Sequence, residues 1–174
     1  MFADPQTESA IAGLAFDGAL RSLLIAAYAG LLVCAAVYDL RRFIIPDSIT
    51  VALLGLWPFW VVLNGTVSLG PIVLGAVVLF GVGLALFALG VMGGGDVKLM
   101  SVLALWAGPA GLPAFLFYTS VAGGLLSLYW IMPLRRLVAP VIGWTAGQHN
   151  NKRIPYGVAI AVGGLAVAQR FWLG

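Results

Sequence analysis

The sequence predicts an all-α, polytopic membrane protein built as a bundle of six transmembrane helices. Three observations support this fold class: 62% of the 174 residues are hydrophobic, only 9% are charged, and the mean hydropathy is +1.07. Soluble domains carry about 25% charged residues. Because one crossing needs roughly 20 apolar residues, six crossings use almost the whole chain. We therefore expect a single membrane-embedded domain over residues 1–174.

Each expected helix is an apolar run that charged residues, proline or glycine bring to an end. Arg41 and Arg42 end the first run, and Pro46 separates it from the second. Residues 1–19 form a polar N-terminal segment, and the fourth run is short for a full crossing. The expected helices cover residues 20–38, 48–63, 71–90, 96–107, 114–132 and 156–173.

The positions of the basic residues predict the orientation in the membrane. Seven of the nine Lys and Arg residues follow helix 1, follow helix 3 or lie between helices 5 and 6. By the positive-inside rule these segments are cytoplasmic, so both termini lie outside and Asp39, Asp47 and Asp96 lie at the cytoplasmic face. Residues 1–10 contain no basic residue, so we expect no cleaved signal peptide. The expected location is the cytoplasmic (inner) membrane.

Composition also excludes several classes of function. The basic residues form no stripe with interleaved aromatics, so a nucleic-acid partner is not expected. The single cysteine excludes an internal disulfide, and the single histidine, His149, has no clustered partners that would make a metal site. We expect no metal and no other cofactor. The lipid bilayer is the first partner that the composition implies.

Two carboxylates are the leading candidates for chemistry, because an ionisable residue at membrane depth is costly and usually functional. Asp39 ends the first apolar run; it is either a catalytic group or one half of a helix-end ion pair with Arg42. Asp96 follows three glycines and opens a helix; it is either catalytic or a helix N-cap. Gly93, Gly94 and Gly95 would let an extended peptide substrate approach closely.

Two further charged residues are candidates for positioning a substrate. Asp47 follows a proline and begins helix 2, where an N-cap is the favoured interpretation; it is also the reserve candidate for a catalytic acid. Lys98 is either a charge that sets topology or a group that favours the ionised form of a neighbouring carboxylate.

Two acids brought together from separate helices can hydrolyse an amide. Like charges close together cannot both ionise easily, so the pair shares one proton. The ionised partner then draws a proton from water, and the protonated partner donates toward the substrate carbonyl oxygen. This chemistry does not require a metal.

Three segments resemble the motifs of the type IV prepilin peptidase family. Asp39 is followed eight residues later by Asp47 of Ile-Pro-Asp, and Gly93, Gly95, Asp96 and Lys98 match Gly-x-Gly-Asp-x-Lys. The third segment is Ile-Pro-Tyr-Gly at 154–157. The resemblance implies an aspartic endopeptidase that removes the basic leader of prepilins and pseudopilins, with Asp39 and Asp96 as the catalytic aspartates and the pilus-assembly or secretion machinery as a further partner.

The chain resembles the small form of this family associated with Flp-type pili. Large members carry a cysteine-paired insertion and methylate the new N-terminus, and we expect neither feature in this chain. A weaker resemblance is to presenilin-like proteases, whose Pro-Ala-Leu motif is missing here. Two rival functions stay open at this point: a small proton-coupled transporter or channel with intramembrane carboxylates, and a scaffold of a secretion complex.

Overall fold

The structure is a computed structural model that describes residues 5–65, 68–131 and 154–173, and side chains within residues 13–65, 68–129 and 154–169. The expected basic segments at 135–136 and 152–153, and His149, lie outside the described residues. All the regular structure in the described part of the chain is helical. The helices are α1 (Pro5–Arg42), α2 (Asp47–Leu63), α3 (Leu69–Ala88), α4 (Gly94–Ile131) and α5 (Tyr156–Leu173).

The all-helical prediction is confirmed, and most helix ends lie close to their expected positions. α5 has the expected bounds, α2 begins one residue earlier than expected, and α3 differs from expectation by two residues at each end. The main difference lies in α1, which begins at Pro5 and continues to Arg42. Much of the polar N-terminal segment is therefore helical and continuous with the first apolar run.

The expected count of six helices is not confirmed, because the described residues form five. Helices 4 and 5 of the sequence prediction are joined in α4, whose helical backbone is interrupted only at Gly108 (φ 59°, ψ 177°). A positive φ of this kind strains every residue with a Cβ, and glycine adopts it freely. Pro109 follows directly and Pro113 comes five residues after Gly108, and proline removes helical hydrogen bonds. The break thus needs no intervening loop.

The two parts of α4 run in opposite directions along α5. The part before Gly108 is parallel to α5, and the part after it is antiparallel. A reversal at one glycine therefore places both parts of α4 against the last helix. The close pairs that define these directions are Leu103 with Gly164 before the break, and Gly123 with Ala159 and Gly111 with Val167 after it. Before the break, Asp96 and Tyr156 also line one cavity.

The apolar surface of the bundle identifies a multi-pass membrane protein. Three helical segments of the described chain are long and apolar enough to cross a bilayer: Gly13–Arg42, Leu69–Ala88 and Gly94–Tyr129. α3 leaves large apolar side chains such as Leu74, Val77 and Val78 exposed. A soluble monomer rarely exposes a continuous apolar surface of this size, whereas in a membrane the same side chains face lipid.

The middle of the bundle is a close-packed core in which the polar atoms have partners. The rings of Tyr28 and Trp106 lie 4.6 Å apart between centroids. Tyr28 Oη donates to the carbonyl oxygen of Gly164 at 3.1 Å, and Trp106 Nε1 donates to that of Leu53 at 3.1 Å. Because an unpaired polar atom in a membrane interior costs several kcal/mol, these bonds let polar rings pack at the centre. They join α1, α2, α4 and α5.

Candidate active site

Asp39 lies in the last turn of α1, where the chain leaves the helix. Its side chain is 5% exposed. The N–H of Phe43 donates to the Asp39 carbonyl oxygen at 2.9 Å, and Phe43 adopts φ 53°, a left-handed conformation that is uncommon for a bulky residue. This sharp exit from the helix sends the following residues, including Ile45, back beside the carboxylate.

The first turn of α5 surrounds the Asp39 carboxylate. The backbone N–H groups of Gly157 and Val158 lie near it. Asp39 Oδ2 is buried and has no hydrogen-bond partner among the described residues. The expected alternative, an ion pair with Arg42, is not formed: the Arg42 guanidinium lies over the Tyr38 ring, 5.6 Å from its centroid.

Asp96 is the third residue of α4 and is held by its own helix end. Its Oδ2 accepts a hydrogen bond from the N–H of Gly93 at 3.2 Å, and Gly93 directly precedes the helix. This is one half of a capping box, in which an acceptor at the third helical position satisfies the N–H of the N-cap residue. Asp96 is therefore a capping residue, although not at the N-cap position itself. The side-chain oxygen of an amide residue at this position could accept the same hydrogen bond, so capping alone does not require a carboxylate.

Both carboxylates line the same pair of adjoining cavities. One, of about 450 Å³, extends from Asp39 and Asp96 toward Pro46 and Asp47. The other, of about 520 Å³, extends from the same two aspartates toward Phe87 and Tyr156. The two acids are close enough to interact electrostatically. The structure thus places two carboxyl groups from α1 and α4, which are distant in sequence, around one open space at one end of the bundle.

Asp47 and Lys98 form an ion pair at the edge of this space. Lys98 Nζ lies 2.9 Å from one carboxylate oxygen of Asp47 and 3.1 Å from the other. The Asp47 side chain is 68% exposed and the Lys98 side chain is 51% exposed. The N-cap interpretation of Asp47 is wrong, because Pro46 occupies the N-cap position and no side chain caps α2. The carboxylate that neighbours Lys98 is Asp47, so the pair joins the starts of α2 and α4.

The three glycines before Asp96 each lie against a different part of the protein. A Cβ added to Gly93 would lie 2.9 Å from Asp96 Oδ2, and one added to Gly95 would lie 3.3 Å from Cβ of Ile45. Gly94 faces the Phe87 ring at 3.4 Å. A side chain on Gly93 would thus collide with the Asp96 carboxylate that accepts from its N–H. Gly93, Gly94 and Gly95 all line the cavity toward Pro46.

Two residues of the site were not among the candidates from the sequence. Phe43 lines both cavities, but only its backbone angle distinguishes it from any other apolar residue. Gly157 contacts Asp39 and belongs to the Ile-Pro-Tyr-Gly segment, which the resemblance identified without giving it a role. The described residues contain no group of three or more His, Cys, Asp and Glu side chains that could hold a metal ion.

Comparison with known proteins adds independent information. The model of the type IV leader peptidase family matches residues 26–128, a range that includes both Asp39 and Asp96. A prepilin leader peptidase/N-methyltransferase of Aeromonas hydrophila is 31% identical over 157 residues, which cover 84% of this chain and 48% of that protein. The protein of the same name from Aeromonas salmonicida gives the same values.

This chain therefore spans about half the length of the curated relatives that it matches. No solved structure matches it. The family model covers more than half of the chain, and the matched residues carry the two carboxylates and the glycine run. The chain belongs to the type IV leader peptidase family.

Proposed function

We propose that this protein is an aspartic endopeptidase of the cytoplasmic membrane that removes the leader peptide of Flp-type prepilins or pseudopilins. The observation that carries the proposal is the pair of carboxyl groups, Asp39 and Asp96, around one open space at one end of the bundle. The relatives from Aeromonas are named prepilin leader peptidases. Their name also includes N-methyltransferase, and the proposal covers leader removal alone.

The proposed reaction uses the pair as acid and base. One aspartate, ionised, takes a proton from water as the water oxygen attacks the scissile carbonyl carbon, and the other, protonated, donates to the carbonyl oxygen. The carbon–nitrogen bond then breaks as the leaving amine takes a proton from the carboxyl that received it from water, and the other aspartate takes back a proton from the former carbonyl oxygen as the C=O bond re-forms. The position of Asp39 supports this role, because it is an ionisable residue that is buried and yet lines both cavities, and such a residue at membrane depth is costly and usually functional.

The proposed substrate fits the shape of the site. A prepilin carries a basic leader followed by an apolar helix, so the scissile bond lies near the membrane surface. The cavities open at the end of the bundle that holds Arg41, Arg42 and Lys98, which the positive-inside rule places in the cytoplasm. Asp47 and Lys98, together with the glycines at 93–95, line or border the space and are proposed to position the peptide. Both termini are proposed to lie outside, and the pilus-assembly machinery is the proposed further partner.

Co-expression with a Flp-type prepilin tests the proposal. Asp39→Asn and Asp96→Asn should each abolish the size shift that marks leader removal, because an amide neither accepts nor donates the catalytic proton. Asp96→Asn keeps an oxygen that can cap α4, so loss of cleavage in this variant separates catalysis from capping. Asp17→Asn is the matched control: Asp17 lies on α1 as well, is exposed, and is far from the cavities, so this variant should cleave normally.

If the protein is instead a proton-coupled transporter, different results are expected for cleavage and for uptake. Full cleavage by either the Asp39→Asn or the Asp96→Asn variant, with normal membrane insertion, would contradict the proposal. Proton-coupled uptake by proteoliposomes that contain the wild-type protein and do not cleave prepilin would favour the transporter.

A further inference from the structure

We infer that Gly157 is a positioning residue for catalysis, which holds the Asp39 carboxylate in its reactive orientation by bringing the first turn of α5 against it. The inference rests on the proposed function. Gly157 lies outside the residues that the family model matches. It is on α5, whereas the two carboxylates are on α1 and α4.

The first step of the argument is the contact itself. A Cβ built on Gly157 would lie 2.8 Å from Asp39 Oδ2 and 3.0 Å from Asp39 Cγ. Real Cβ atoms essentially never approach another heavy atom to within 3.0 Å. A methyl group at this position therefore cannot coexist with the carboxylate in its present orientation: either the carboxyl group rotates or α5 moves away.

The second step is what the close approach achieves. It brings the N–H groups of Gly157 and Val158 to the Asp39 carboxylate. Both groups belong to the first turn of α5, where N–H groups carry partial positive charge; the N–H of Val158 also donates to the Pro155 carbonyl oxygen at 3.3 Å. Oδ2, the carboxylate oxygen nearest the Gly157 Cβ position, is buried against α5. Close packing of α5 on this side limits rotation of the carboxyl group, while Asp39 still lines both cavities.

The third step separates this contact from ordinary helix packing. Gly164 lies two turns further along α5 and is equally crowded: its Cβ would lie 2.8 Å from Leu32 Cδ1 and 3.0 Å from Leu103 Cδ1. Its neighbours are the ends of two leucine side chains and the Tyr28 hydroxyl, which would lie at 3.1 Å, and it touches neither carboxylate. Gly157 and Gly164 are thus similarly crowded positions on the same helix, and only Gly157 lies against a proposed catalytic carboxylate.

The experiment compares Gly157→Ala with Gly164→Ala in proteoliposomes, with a purified Flp-type prepilin as substrate. A misplacement of about 1 Å can reduce a rate by about 100-fold, so Gly157→Ala should lower kcat on that order with KM little changed. Gly164→Ala should keep kcat close to wild type. An unchanged kcat in Gly157→Ala, or an equal loss in Gly164→Ala, would overturn the inference.

A second background tests whether Ile45 is the real cause. The Gly157 Cβ would also lie 2.7 Å from Ile45 Cδ1, and Ile45→Val removes that atom. If the carboxylate is what the methyl displaces, Gly157→Ala should lower kcat as much in the Ile45→Val protein, measured against Ile45→Val alone. Restoration of kcat in the double variant would show that the defect was packing and would refute the inference. Failure of both Gly157→Ala proteins to insert, while Gly164→Ala inserts, would refute it equally, since the contact would then serve folding.

The same assay distinguishes this inference from the proposed function. Wild-type protein that cleaves no prepilin, or an Asp39→Asn variant that still does, would remove the proposed function. Cleavage by wild type, none by Asp39→Asn, and wild-type kcat in Gly157→Ala would remove the role of Gly157 alone.

Discussion

The middle of the bundle and the end that carries the candidate active site differ in how their buried polar atoms are paired. In the middle, Tyr28 and Trp106 each donate to a helix carbonyl oxygen and so tie neighbouring helices together. At the active end, Asp39 is buried to a similar degree, yet its Oδ2 has no partner among the described residues. Buried polar groups in a folded protein normally have hydrogen-bond partners, so the unpaired oxygen of Asp39 departs from the pattern in the middle of the bundle. We attribute this departure to the proposed catalytic role of Asp39.

The largest expected effect is on activity at the active end. Asp39→Asn should reduce leader cleavage by about 10² to 10⁴-fold, the usual contribution of a general acid or base. It should leave resistance to unfolding in detergent unchanged or increased, because the substitution removes an ionisable group from a buried position. Cleavage rates and unfolding curves of the same preparation check both parts. A marked fall in stability would show that Asp39 is structural and would remove the contrast between the two regions.

A smaller and opposite effect is expected in the middle. Tyr28→Phe removes the hydrogen bond to Gly164 and leaves a buried carbonyl oxygen without that donor, which should cost about 1 kcal/mol of stability. The rate of cleavage at a permissive temperature should stay the same, since Tyr28 is far from the cavities. Denaturant titration and a kinetic assay of this variant should show lower stability with an unchanged cleavage rate, the reverse of the Asp39→Asn result. A loss of cleavage without a loss of stability would contradict it.

The smallest effect on stability is expected at the edge of the cavity. Because the Asp47–Lys98 pair is more than half exposed, Asp47→Asn or Lys98→Gln should change stability by less than about 1 kcal/mol. If these residues position the peptide, each substitution should raise KM for prepilin more than it lowers kcat. Steady-state kinetics with one prepilin separates the two parameters. Unchanged KM in both variants would remove the positioning role.

The sequence was sufficient to predict the helical class, most helix ends and the identity of the two candidate acids. Apolar runs define the helices because the bilayer sets their length and composition. Asp39 and Asp96 were identifiable because acids are rare in this chain and each lies at the end of an apolar run.

What the sequence could not supply depends on contacts between distant segments. Gly157 gains its meaning only where α5 meets the end of α1, and the left-handed backbone of Phe43 has no signature in an apolar side chain. The expected fourth and fifth helices are not separate elements for a local reason: the chain reverses direction at Gly108, and the two helical parts follow one another without a gap. The cap on α2 was assigned to Asp47, one residue too late, because Asp is a more frequent N-cap than proline.

The reversal at Gly108 has a mechanical consequence for how a substrate helix can enter. Asp96 lies on the part of α4 before Gly108, and both parts of α4 pack along α5, which carries Gly157. The two parts are joined at Gly108, away from the cavities. A change in the angle between them would therefore widen the space beside Asp96 while the two parts stay together at Gly108.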